Sequence, residues 1–138
     1  MKSIVLDTNC LIACIGFGSA YRLVWDCFIN NKFFLCISNE ILTEYEEVLS
    51  RKTSKEVANN IIEIIVNRKN IIFANPAYRF NLISTDPDDN KFIDCAIVSN
   101  ADYIVSNDSH FDVLKNIDFP KVNVISIKDF MNHLEFYP

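Results

Sequence analysis

The sequence is poor in glycine: only Gly16 and Gly18 occur in 138 residues. A dinucleotide fingerprint needs three glycines, and a Walker loop needs two that flank four residues ahead of Lys-Ser or Lys-Thr. Neither pattern is present, which excludes nucleotide binding through a glycine-rich loop and excludes a collagen-like or linker-like chain. No window of eighteen apolar residues exists, so no membrane span is expected. Charge at Lys2 and Asp7 breaks the first apolar stretch too early for a signal peptide, and a cytoplasmic location is expected. Positive charge is also scarce. Thirteen basic against eighteen acidic residues give 13 − 18 = −5. Such a chain is a poor general binder of polyanions unless a cation bridges it to them. The cysteines (Cys10, Cys14, Cys27, Cys36 and Cys95) are odd in number and sit among apolar neighbours, as reduced structural thiols do. No second Cys/His pair completes a zinc site with Cys10 and Cys14, and His110 and His133 read as isolated.

What is present is core-forming material. Half the residues are hydrophobic and 22% are charged, which fits one globular domain over 1–138. Short apolar runs at 3–6, 33–37, 71–73, 103–106 and 122–125 read as buried strands. Helices are expected over 8–15, 20–30, 39–51, 54–68, from Asp86-Pro87 to about 100, over 109–115 and over 128–136. Ser19 and Ser38 are candidate caps, and Thr53-Ser54-Lys55-Glu56 has a capping-box pattern. Residues 74–85 read as irregular. Strands alternating with helices indicate an α/β fold with a parallel sheet covered on both faces. In such sheets, sites gather at the carboxyl ends of the strands.

Two aspartates fall there. Asp7 ends the first strand, and Asp108 follows the fourth by two residues; each also reads as a helix cap. On the 39–51 helix, Ile41, Leu42, Tyr45, Val48 and Leu49 form one apolar arc, with Glu44 and Glu46 on its two flanks. Periodicity allows either glutamate to lean over the sheet edge. On the helix after Pro87, Asp89 points along the arc of Phe92, Ile93 and Ala96, so it ends in a cap, a partner or a cation. Asp94 falls on the opposite face and reads as a surface or subunit-contact residue. Converging carboxylates repel unless a cation or protons sit between them, and oxygen ligands favour Mg²⁺ or Mn²⁺, ions suited to phosphodiester chemistry.

With these residues in place, the chain resembles PIN-domain ribonucleases, in particular the toxins of VapC-like toxin–antitoxin systems. Asp7-Thr8-Asn9 after the first strand resembles their opening motif. Ser38…Ile41-Leu42-Thr43-Glu44 resembles the second, and Asp86 to Ala96 followed by Ala101 to Asp108 resembles the third and fourth. The likeness runs from residue 1 to about 130. It implies a three-layer α/β/α sandwich with a central parallel sheet, and Mg²⁺- or Mn²⁺-dependent cleavage of RNA. Asp7, Glu44, Asp89 and Asp108 match the metal-binding, catalytic acids, and Asn9 and Ser106 match supporting polar positions. A cognate antitoxin and a homodimer are the implied partners. The apolar runs 10–15 and 92–98 also point to self-association. Lys91 is a candidate phosphate contact. Rival readings fit less well. An aspartyl-phosphatase wants an acid where Asn9 stands, and a receiver domain wants a lysine after a late strand, yet none lies between Asp94 and Lys115. A catalytically inactive PIN module that binds RNA or protein, or a non-toxin RNA-processing nuclease, remains as the alternative.

Overall fold

The computed structural model describes residues 1–83 and 86–136, with only the backbone of residue 136. Among the described residues, five parallel strands form one sheet: β1 (Ser3–Leu6), β2 (Phe34–Ile37), β3 (Ile71–Phe73), β4 (Tyr103–Val105) and β5 (Val124–Ile125), in the spatial order β3-β2-β1-β4-β5. Register is fixed by Ile4 opposite Leu35 on one side of β1, and by Val5 opposite Ile104 and Leu6 opposite Val105 on the other. Successive strand residues point to opposite faces. Ile4 and Val5, and likewise Ile104 and Val105, are all fully buried, so both faces of the sheet are covered. The helices doing so are α1 (Thr8–Ile15), α2 (Arg22–Ile29), α3 (Asn39–Lys52), α4 (Lys55–Asn67), α5 (Asn90–Ser99) and α6 (Ile127–Phe136). This is the α/β sandwich with a parallel sheet that the apolar runs lead one to expect.

Local chemistry explains the boundaries. Ser38 caps α3 by accepting the Ile41 N–H at 3.2 Å. Ser54, not Thr53, caps α4, accepting the Val57 N–H at 3.1 Å. The Thr53 hydroxyl instead donates back to the Leu49 carbonyl at 2.6 Å and closes α3. Asp86 and Pro87 open a tight 3-10 turn over Pro87–Asp89 before α5 begins. Asn100 then ends α5 in the left-handed conformation, φ 53°, which asparagine tolerates. The expected 109–115 helix is 3-10 in type over Ser109–Asn116.

The apolar runs that pointed to self-association are largely covered by the chain itself. Cys10, Leu11 and Cys14 of α1 are buried, and so are Phe92, Ile93, Cys95 and Ala96 of α5. Among the described residues no helix is long and apolar enough to cross a membrane.

The chain steps outward from β1 through β2 to β3, then returns to the far side of β1 with β4. The reversal lies between β1 and β4, whose carboxyl ends therefore frame the crevice where α/β sheets bind ligands. Asp7 follows β1 there, and Ser106 follows β4.

Candidate functional site

Asp7 sits in that crevice and is buried. Its Oδ1 accepts the Asn9 N–H at 3.2 Å, so it caps α1, while its Oδ2 accepts the Ser106 hydroxyl at 2.6 Å. The Ser106 hydroxyl also accepts the Asp108 N–H at 3.0 Å. One serine thus ties together two aspartates from strands adjacent in space and 101 residues apart in sequence. Asp108 caps the following turn through the His110 N–H at 2.9 Å. Both aspartates therefore cap the segments that follow them while lying at the mouth of the crevice. Burial raises the Asp7 carboxyl above its ordinary value. The Ser106 and Asn9 hydrogen bonds oppose this, and the charges of Asp108 and Glu44 add to it.

Glu44 reaches the same edge from α3, and Glu46 is exposed elsewhere on that helix. Tyr45 next to Glu44 is fully buried and donates its hydroxyl to the Leu6 carbonyl, which anchors α3 against the end of β1. The Thr8 hydroxyl donates to Glu44 Oε2, and Lys91 Nζ lies 2.8 Å from Glu44 Oε1. Lys91, only 14% exposed, therefore spends its charge on Glu44 rather than standing free.

Asp89 comes from the turn ahead of α5. It makes no cap hydrogen bond, so the capping alternative falls to Asp86, which accepts the Asp88 N–H at 3.3 Å. Asp89 Oδ2 lies 3.2 Å from His110 Nδ1, which is also 3.5 Å from Asp86 and 3.4 Å from Asp108. Burial, with added repulsion from Asp86, Asp108 and Asp7, pushes the Asp89 carboxyl up to about 6 against the opposing His110 bond. The Asp89 hydrogen bond and the Asp108 charge in turn raise His110.

Sequence reasoning missed two residues here. His110 is not isolated: it faces three carboxylates. The available signal was its place two residues after an aspartate at a strand end, where a cap aims the next backbone N–H. Asp86 is a cap through one oxygen, and its other oxygen faces His110.

Asp94 requires a correction. It is 1% exposed, not a surface or contact residue. The irregular stretch after β3 lies over that face of α5. The Phe80 N–H donates to Asp94 Oδ1 at 3.2 Å, and Arg79 stands 3.9 Å from Oδ2 while also pairing with Glu40. Asn90 pins the same stretch by bonding both the N–H and the carbonyl of Ile83, at 2.9 and 2.8 Å.

A cavity of about 240 Å³ opens beside Asp7 and Asp108, lined also by Asn9, Cys10, Ala13 and Asn107. Burial pushes the Cys10 thiol up to about 12, so it stays protonated and offers neither nucleophile nor anionic ligand. A larger hollow of about 690 Å³, against Lys2, Lys32 and Phe33, lies where the strands begin and brings no carboxylate together among the described residues. The donor set of the crevice, carboxylate oxygens gathered from several elements, fits a hard divalent cation. Among the described residues, Asp86, Asp89 and His110 are the group that presents ligand atoms within 4.8 Å of one another.

Comparison with known proteins agrees with this fold. The chain is similar to one in the crystal structure of VapBC2 from Rickettsia felis bound to a DNA fragment from their promoter. The TM-score is 0.62 and the identity 19%, over 90% of this chain and 98% of that one. It is also similar to a chain in the crystal structure of DNA-bound VapBC from Salmonella typhimurium, with TM-score 0.60 and 18% identity over 92% and 99%. No curated protein sequence matches it. The family model of the PIN domain matches residues 3–110, which takes in every carboxylate of the crevice, and the chain belongs to the PIN-domain family.

Proposed function

We propose that the protein is a divalent-metal-dependent endoribonuclease that hydrolyses RNA phosphodiester bonds, and that it is the toxin of a toxin–antitoxin pair. The observation that carries the nuclease reading is the meeting of Asp7, Asp89 and Asp108 at the β1/β4 crevice, with Glu44 beside them. Asp7, Asp89 and Asp108 would hold the ion, with Glu44 as the fourth acid. Mg²⁺ or Mn²⁺ bound there supplies activation of a water and neutralisation of charge on the phosphodiester. The protein's own part is positional. Ser106 fixes the Asp7 carboxylate and, through the Asp108 N–H, the start of the following turn. The Asn9 N–H holds the other Asp7 oxygen. Thr8 and Lys91 hold both oxygens of Glu44, so Lys91 reaches a phosphate only by leaving it.

An ion at the crevice also answers the charge problem, since it links a chain of net charge −5 to an anionic backbone. The toxin reading draws support from the two VapBC structures that share this fold, and with it go an antitoxin partner and a cytoplasmic location. A homodimer now stands on the family resemblance alone, because the apolar runs that suggested it are mostly buried within the chain.

The test is cleavage of single-stranded RNA by purified protein with Mg²⁺ or Mn²⁺, against EDTA and against Asp7→Asn. We expect cleavage that needs the metal and the aspartate. Tight RNA binding without cleavage in any metal would favour the inactive-module alternative.

A further inference from the structure

We propose that His110 is a nitrogen ligand of the divalent ion at this crevice, and that it tilts the site toward Mn²⁺ over Mg²⁺. The inference rests on the metal-dependent reading above and goes beyond its carboxylate set. The observation is the position of one ring nitrogen: Nδ1 of His110 lies 3.2 Å from Asp89, 3.4 Å from Asp108 and 3.5 Å from Asp86. Neighbouring ligand atoms on one octahedral ion, with bonds of roughly 2.1 Å, sit about 3 Å apart. Asp86, Asp89 and His110, whose ligand atoms all lie within 4.8 Å of one another, are therefore spaced as ligands of a common ion, with Asp108 3.4 Å from the same ring nitrogen, needing only small side-chain shifts. Those shifts are available to the ring, whose side chain is 43% exposed. Its backbone, by contrast, is fixed by the hydrogen bond from its own N–H to Asp108. The neutral imidazole offers one lone pair, a donor that transition ions accept readily. Mg²⁺ keeps to oxygen and water, so the histidine adds little to its binding.

The chain makes the test clean because it has only two histidines. His133 lies against the far hollow with Lys2 and Phe33. Mn²⁺ and Mg²⁺ affinities are measured by calorimetry on the intact protein, its His110→Ala and His110→Gln variants, and a His133→Ala control. Electron spin-echo spectroscopy of the Mn²⁺-loaded samples reads nitrogen coupling from a bound imidazole. We expect imidazole coupling in the wild type and in His133→Ala, and none in either His110 variant. Mn²⁺ affinity should fall about tenfold in the His110 variants, with Mg²⁺ affinity moving less than about twofold. Melting curves in EDTA confirm that the variants fold, as expected for an exposed side chain. Mn²⁺ binding that is lost in Asp7→Asn/Asp108→Asn but shows no imidazole coupling and no response to His110 would overturn this inference alone. Absence of any Mn²⁺ or Mg²⁺ binding by the wild type would overturn both it and the nuclease reading.

Discussion

Two aspartates five residues apart on one stretch of chain, Asp89 and Asp94, have opposite surroundings. Asp94 is sealed under the segment after β3 and receives the Phe80 N–H, with Arg79 close by. Asp89 is given no backbone donor by its own helix and faces Asp86, Asp108 and Asp7, with His110 as its nearby partner. Burial raises both carboxyls. At Asp94 the next causes, the Phe80 N–H and Arg79, pull it back down. At Asp89, past the His110 bond, the remaining causes are further negative charges. A buried acid supplied with donors closes a fold, because its charge is already answered inside the chain. A group of acids that mainly repel one another is a local cost that the fold tolerates and that a cation would relieve.

The sharpest way to break the comparison is to neutralise each acid in turn. Asp89→Asn should lower metal-dependent RNA cleavage by about a hundredfold or more, as expected for losing an ion-holding group. Asp94→Ala should leave the cleavage rate of the folded protein within a few-fold. It should cost about 1–3 kcal/mol of stability by stranding the Phe80 N–H. Cleavage assays and urea unfolding on the same two proteins check this. Activity lost in Asp94→Ala but kept in Asp89→Asn would reverse the two roles.

A second measurement sets the crevice against the rest of the molecule. An ion that binds only the native protein adds RT ln(1 + [L]/Kd), roughly 2.7 kcal/mol at about a hundredfold excess over Kd. The melting temperature of the wild type and of Asp94→Ala should therefore rise by similar amounts in millimolar Mn²⁺. The rise should vanish in Asp7→Asn/Asp108→Asn. Sodium chloride at matched ionic strength controls for general screening. Equal rises in all samples, salt control included, would remove the physical basis for a metal centre here.

The same contrast explains what the sequence could and could not disclose. The strands were legible because they are short apolar runs buried on both faces, and the starts of α3 and of the turn before α5 because Ser38 and Asp86 are strong caps. Asp7 and Asp108 were legible as residues at strand ends. Glu44 against Glu46 was not settled by periodicity, since both flank one arc. What selects Glu44 in the structure is Thr8 and Lys91, which arrive from other elements. Asp94 was misread because its partners come from a stretch without hydrophobic period, so nothing in α5 itself announces the cover. His110 was missed for a similar reason: its neighbours Asp86 and Asp89 lie more than twenty residues away and meet it only after β4 has docked beside β1. Periodicity reads one element's own faces. It carries no information about a loop that folds over them.

The smallest expected effect is on pH dependence, and here the sign separates the two aspartates from ordinary surface acids. A carboxyl raised by folding favours the native state while protonated. Its contribution is full below the unfolded value near 3.8 and is lost as pH rises through the folded value, about 6 for Asp89. Asp7 and Asp94 are raised too, so they act in the same direction. His110, also raised, likewise favours the native state in its charged form and loses that contribution as pH climbs past its folded value. In EDTA, the urea midpoint of the wild type should fall between pH 4.5 and 7.5 relative to that of Asp89→Asn. The difference should be about 1 kcal/mol, because the crevice opens to water and is partly screened. Mn²⁺ should flatten the wild-type curve, since an ion on the crevice takes the place of protons there. It should leave untouched the part of the slope that belongs to Asp94, which is closed off beneath Phe80 and Arg79. A wild-type curve in EDTA that rises with pH relative to Asp89→Asn would mean that Asp89 is stabilised as an anion by the chain itself.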